Sequence, residues 1–190
     1  VVKDKNAVDV RFAFCFPDTY EVGMSHLGMK ILYGLYNAQD TIWCERVFAP
    51  WTDMEEKMRQ NGILLYGLES GDPIRDFDFI GFTLQYELSF TNVLNMLDLA
   101  GLPVLAAQRE GLSPIVVAGG PCACNPEPLA EFVDLFILGE GEEVNLELAE
   151  LYRDYKKKGG SKKDFLKAAS QIPGVYVPSL YEVRYQPDGT

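Results

Sequence analysis

Histidine is almost missing from this chain, and so are the signals of the commonest nucleotide-binding folds. A single histidine among 190 residues leaves a hydrolytic triad or a four-ligand zinc site without its usual members. Neither a GxGxxG turn nor a Walker loop occurs, so dinucleotide and ATP binding lack their signature. The four cysteines, Cys15, Cys44, Cys122 and Cys124, form no CxxC pair. Unpaired thiols fit a reducing, cytoplasmic setting. No apolar run approaches the roughly 18 residues of a membrane span, and Val1 to Asn6 carry no signal-peptide pattern. Basic residues are scarce too, 17 against 28 acidic ones for a net charge of −11. Their one cluster, Lys156-Lys157-Lys158 followed by Lys162-Lys163, reads as the solvated cationic end of a helix. A phosphate backbone is held by Lys and Arg, so no nucleic acid partner is expected.

The residues that are present describe one domain. Hydrophobic residues make up 47% and charged ones 24%, the balance of a soluble globular chain. A chain this long buries roughly 70% of its unfolded surface without help from metals or disulfides. Its organising stretch is Pro114-Ile-Val-Val-Ala-Gly-Gly-Pro121, echoed by Asp134-Leu-Phe-Ile-Leu-Gly-Glu-Gly-Glu-Glu143. Each is apolar without polar alternation, as in a strand covered on both faces of a parallel sheet. Each ends in glycines, which let the backbone turn sharply and approach a ligand closely.

Earlier in the chain, Val8 to Phe16, Thr41 to Phe48 and Phe77 to Gln85 read as further strands. Helices are expected over about His26–Asn37 (capped by Ser25), Thr52 or Asp53 to Gln60, Ser89–Ala100, Glu142–Lys157 and Lys162–Ala169, with a short proline-led helix over Asn125–Val133. Leu102 to Ala107 reads as a small edge element. Strands alternating with helices give an α/β fold, a doubly wound, mostly parallel five-stranded sheet of Rossmann or flavodoxin type. Residues 1–172 form that domain. Residues 173–190 form an extended C-terminal tail, with Pro187-Asp-Gly189 as a hairpin-turn signal. The missing initiating Met and the open-ended tail read as a piece of a longer protein.

In such sheets ligands sit beyond the carboxyl ends of the strands. The loops expected there are Pro17 to Gly23, Thr83 to Glu87, Gly119 to Cys124 and Gly139 to Glu142. Cobalamin-binding domains carry an Asp-x-His-x-x-Gly loop after strand one, a Ser-x-Leu element after strand three and a Gly-Gly pair after strand four. This chain resembles them, with Asp18-Thr19-Tyr20-Glu21-Val22-Gly23, Thr83-Leu84-Gln85 and Gly119-Gly120 followed by Pro121 at the matching positions. Two of the three motifs are altered. The family's histidine is a lower axial ligand of cobalt. A phenol in its place needs about 4 kcal/mol to present an oxygen anion at neutral pH, so Tyr20 is a poor substitute.

Corrinoid sites without that histidine occur in modules at the N-terminus of radical S-adenosylmethionine enzymes. Val117-Ala-Gly-Gly-Pro121, Asn125-Pro-Glu-Pro128 and Gly139-Glu140-Gly141-Glu142 closely resemble their segment from strand four to helix five, and Phe14 to Gly28 is similar to a largely uncharacterised subgroup. The resemblance covers residues 8–186. It implies a cobalamin held for methyl transfer or radical chemistry on an unknown substrate. Thr83 and Gln85 would bond the nucleotide tail, Gly119 and Gly120 would let it pass, and Asp18 to Gly23 would underlie the ring. It also implies a C-terminal barrel of the same polypeptide holding the [4Fe–4S] cluster and S-adenosylmethionine. The Cys-x-x-x-Cys-x-x-Cys motif for that cluster is absent here, so no catalytic or metal-ligating residue is assigned and the domain is not expected to be catalytic alone. The alternatives are an interaction or lid domain of the same fold without a cofactor, and a flavodoxin-like flavin-binding domain.

Overall fold

The computed structural model describes residues 1–182 and 184. The sheet has six strands: β1 (Val10–Phe16), β2 (Ile42–Phe48), β3 (Phe79–Thr83), β4 (Ile115–Gly119), β5 (Leu135–Ile137) and β6 (Val175–Tyr176), in the order β2-β1-β3-β4-β5-β6. The first five run parallel, and β6 is antiparallel to β5. The helices are α1 (Tyr20–Gly23), α2 (Leu27–Asn37), α3 (Thr52–Asn61), α4 (Phe90–Leu99), α5 (Glu142–Lys158) and α6 (Lys162–Ala169). This is the doubly wound α/β architecture. Strand order reverses between β1 and β3, which opens a crevice at their carboxyl ends.

Burial on both faces explains the largely apolar strands. Phe12, Phe14, Phe16, Phe79, Val117 and Ile137 face Met29 and Tyr36 of α2, Leu148 and Tyr152 of α5, and Phe165 of α6. Ala13, Cys15, Ile80, Phe82, Val116 and Phe136 face Met58 of α3 and Val93, Met96 and Leu97 of α4. Phe12 stacks on Tyr36 at 4.4 Å and on Phe79 at 5.5 Å between ring centres. Gly81 makes that possible, because a Cβ there would lie 2.4 Å from the Phe12 ring.

Several local expectations need correction. His26, not Ser25, caps α2: its Nδ1 accepts the Met29 N–H at 3.1 Å, while the Ser25 hydroxyl donates back to Glu21 O. The proline-led helix expected over Asn125–Val133 is only a 3-10 turn, Glu127–Leu129, preceded by another at Pro121–Cys124, since prolines supply no N–H for continued α-helical bonding. Leu102 to Ala107 forms no strand, and a 3-10 turn covers Ala106–Gln108. Part of the tail joins the sheet as β6, making six strands where five were expected. The hairpin signal at Pro187-Asp-Gly189 lies outside the described residues. No helix among the described residues is long and apolar enough to cross a membrane.

Candidate functional site

Parallel strands bring their carboxyl ends to one edge, and there a cleft of about 190 Å³ opens between α2 and α5. Its floor is apolar, with Phe12, Phe14, Val117 and Ile137 from three strands, β1, β4 and β5. Ile31, Leu32 and Tyr36 of α2 wall one side and Asn145 of α5 the other. The Tyr36 hydroxyl donates to Asn145 Oδ1 at 2.6 Å, and Asn145 Nδ2 donates to Gly141 O at 2.6 Å. This chain of bonds ties the helices together at the closed end. Burial pushes the Tyr36 phenol well above its ordinary range, so it stays a neutral donor.

The rim carries the glycine turns. Gly120 has φ 95°, and a Cβ there would sit 2.9 Å from Leu84 O and 3.2 Å from Gln85 Nε2. The backbone is drawn in by Leu84 N–H bonding Gly119 O at 2.7 Å and Cys122 N–H bonding Leu84 O at 3.0 Å. Gln85 Nε2 donates to Thr83 Oγ1 at 2.6 Å, which leaves the Gln85 carbonyl for another partner. Gly139 has φ 104° and opens onto free space. Glu142 and Glu143 lie in the first turn of α5, where carboxylates suit the helix dipole, but no side chain caps that helix.

Thr83, Gln85, Gly119, Gly120, Gly139, Glu140 and Gly141 therefore share one cleft. The other residues singled out from the sequence lie elsewhere. Leu84 is fully buried in the α3/α4 core, and Pro121 starts an exposed turn. Thr19, Tyr20 and Glu21 line a separate groove beside the end of β2. Val22 is exposed, and Gly23 is packed so tightly that a Cβ would fall 2.3 Å from the Phe48 ring. Asp18 bonds the Tyr86 hydroxyl, joining the loops after β1 and β3. Sequence reasoning missed His26, Gly28, Gly81 and Asn145 as lining residues. A glycine inside an otherwise apolar strand was the available signal for Gly81; nothing local marked Asn145, whose role comes from a partner 109 residues away.

Residues 28–178 match the family described as radical SAM proteins, N-terminal. The chain belongs to that family. This radical SAM N-terminal domain is also 30% identical, over 148 residues, to an uncharacterized protein of Methanocaldococcus jannaschii. That match takes in 77% of the chain but 28% of the relative, so the chain spans little more than a quarter of the relative's length. No solved structure matches.

Two features of the domain bear on a corrinoid. An apolar cavity of about 150 Å³ holds one benzene ring; at about 190 Å³, this cleft is of a size to take one aromatic base. The residues present thus fit the base of a nucleotide tail, with glycine backbone and the Gln85 carbonyl at the mouth for its polar part. None of them offers cobalt a nitrogen. Because His26 Nδ1 accepts a backbone N–H, its neutral ring carries the proton on Nε2 and has no lone pair left for a metal. Cys122 is half-buried, its thiol pushed up by burial and by the neighbouring Glu87 carboxylate, which keeps it protonated and inert.

Proposed function

We propose that this domain is the corrinoid-holding module of a radical S-adenosylmethionine protein, working with an iron–sulfur domain of the same polypeptide. The observation that carries the reading is the single cleft that collects Thr83, Gln85, Gly119, Gly120 and Gly139 around an apolar floor sized for one aromatic base. When bound, a corrinoid supplies methyl-transfer or radical chemistry at its metal. The chain's own part is to hold and orient. Phe12, Val117 and Ile137 exclude water from the base, the glycine turns bring backbone close to the tail, and Gln85, fixed by Thr83, offers a hydrogen-bond acceptor. No side chain of the cleft would ligate the metal, so the residues that hold the base would supply the affinity.

A second reading is a cofactor-free lid on the radical domain. It is favoured by one observation, the separation of Tyr20 from the cleft. Mixing the chain with hydroxocobalamin, desalting and recording the visible spectrum separates the two. A retained corrinoid is expected, its retention falling at least about tenfold in Leu32→Trp, which fills the wall with a larger ring while far-ultraviolet circular dichroism stays unchanged. Tyr20→His is expected to leave the bound spectrum as it is. Loss of all colour on desalting, with the fold intact, rejects the corrinoid reading and leaves the lid.

A further inference from the structure

The groove that takes Tyr20 out of the cleft has chemistry of its own. It measures about 540 Å³ and is lined by residues following β1, residues following β2, and the loop 65–68. Three aromatic rings other than Phe48 belong to it or its rim: Tyr20, Trp51 and Tyr66. Tyr20 is 52% and Trp51 67% exposed. Large aromatic rings left in water beside a concave surface are costly, and they mark a place where something binds. The Tyr20 ring is held edge-on to Phe48 at 5.4 Å, so it is positioned by the fold. Trp51 occupies the N-cap position of α3.

Charge says what the groove accepts. Two carboxylates line it, Glu21 and Asp53, and no Lys, Arg or His does. Cations near the adjoining 66–72 loop are already committed: Arg46 to Glu69, and Arg11 to Glu45 and Asp72. Glu21 and Asp53 form no ion pair among the described residues, and Asp53 bonds only the neighbouring Met54 N–H. Aromatic faces attract cations through the ring quadrupole, and two carboxylates without a counter-charge add to that field. The net charge of −11 draws cations toward the surface as a whole.

We infer that this groove is a binding site for an organic cation, an ammonium or guanidinium group seated against Tyr20 and Trp51 and neutralised by Glu21 and Asp53. The site is separate from the corrinoid cleft, so it stands or falls independently of that reading. Its shape serves equally a small free cation and the cationic side chain of a peptide, and the titrants distinguish these sources.

Trp51 provides the signal. The other tryptophan, Trp43, is only 3% exposed, so ligand-dependent changes in emission report the groove. The 190-residue chain is titrated with choline, N-acetyl-lysinamide and N-acetyl-argininamide, with sodium chloride matching ionic strength. The neutral isostere 3,3-dimethyl-1-butanol is the control. Saturable changes are expected with the cations, and binding of the neutral alcohol should be at least about fivefold weaker. Tighter binding of choline identifies a small free cation, and tighter binding of the amino-acid amides a peptide side chain. Tyr20→Leu should weaken the cations about three- to fivefold, and Asp53→Asn should weaken them without affecting the alcohol. Flat titrations, equal response to the alcohol, or a Tyr20→Leu variant that binds as before would overturn the assignment.

Discussion

Tyr86 joins two loops that are far apart in the chain. Its hydroxyl donates to the Asp18 carboxylate, which joins the turn after β1 to the turn after β3. That hydrogen bond, with burial and the carboxylate charge behind it, pushes the phenol up to about 12. A group whose folded pKa lies above its unfolded value stabilises fully below the unfolded value and loses that contribution as pH rises through the folded one. The window here is pH 10 to about 12. Tyr33 and Tyr176 are also pushed up to about 12, so ultraviolet titration is expected to show a late-ionising class. Asp18→Asn should return one tyrosine of that class toward 10 and leave Tyr33, Tyr176 and the buried Tyr36 and Tyr152, which are raised as well, as they are; an unchanged titration contradicts the bridge. At this scale the sequence was partly legible. Sequence reasoning places the cap of α2 one residue early, at Ser25 instead of His26, because an N-cap needs only a local acceptor and both side chains offer one. Asp18 was singled out within its loop, but its bond to Tyr86 was not legible, because that partner comes from a different strand's loop and no spacing along the chain encodes it.

Elements were more legible than contacts. The observed α6 covers the expected Lys162–Ala169, and Ser161 caps it through the Asp164 N–H. Strands β1 to β5 fall within two residues of their expected limits, β3 ending at Thr83 where Gln85 was expected. These strands are covered on both faces, so nearly every residue is apolar, Arg11, Glu45, Arg46 and Thr83 apart, and the run announces itself. What holds the elements to one another was invisible. Asp134, expected only as the first residue of a strand, is buried and accepts from Val116 N–H at 2.8 Å while pairing with Lys162 at 2.8 Å and Arg109 at 3.5 Å. Arg109 also donates to the carbonyls of Pro103, Val104 and Phe132. One carboxylate thus fastens β4, α6 and the 103–109 loop. Burial pulls the Lys162 pKa down despite the attraction of Asp134, so the cation is held at a cost and depends on its partner. Asp134→Ala would leave two buried cations uncompensated. A loss of about 3–5 kcal/mol is expected, read from the midpoint of urea unfolding. A loss under about 1 kcal/mol would mean that water reaches the pair.

At the scale of the whole molecule, the fold class could be read because alternation of strand and helix is a property of the entire chain. The cleft could be read in half: glycines after β4 and β5 announce turns at the sheet's carboxyl edge, whereas the wall formed by α2 and α5 needs the packed structure. The least conspicuous strand has the widest effect. Tyr176 and Val175 pair with Phe136 and Ile137, and Leu138 N–H reaches Gly174 O at 2.7 Å. Without this two-residue cover, β5 would present an apolar edge with free N–H and C=O groups to any passing strand, including that of another copy. Tyr176→Pro, which removes a donor from the cover, is therefore expected to sediment at rising mass as concentration increases, while Tyr176→Phe behaves as the parent does. Solubility of the domain, on this view, is set less by its surplus of negative charge than by a pair of residues closing off a template for self-assembly.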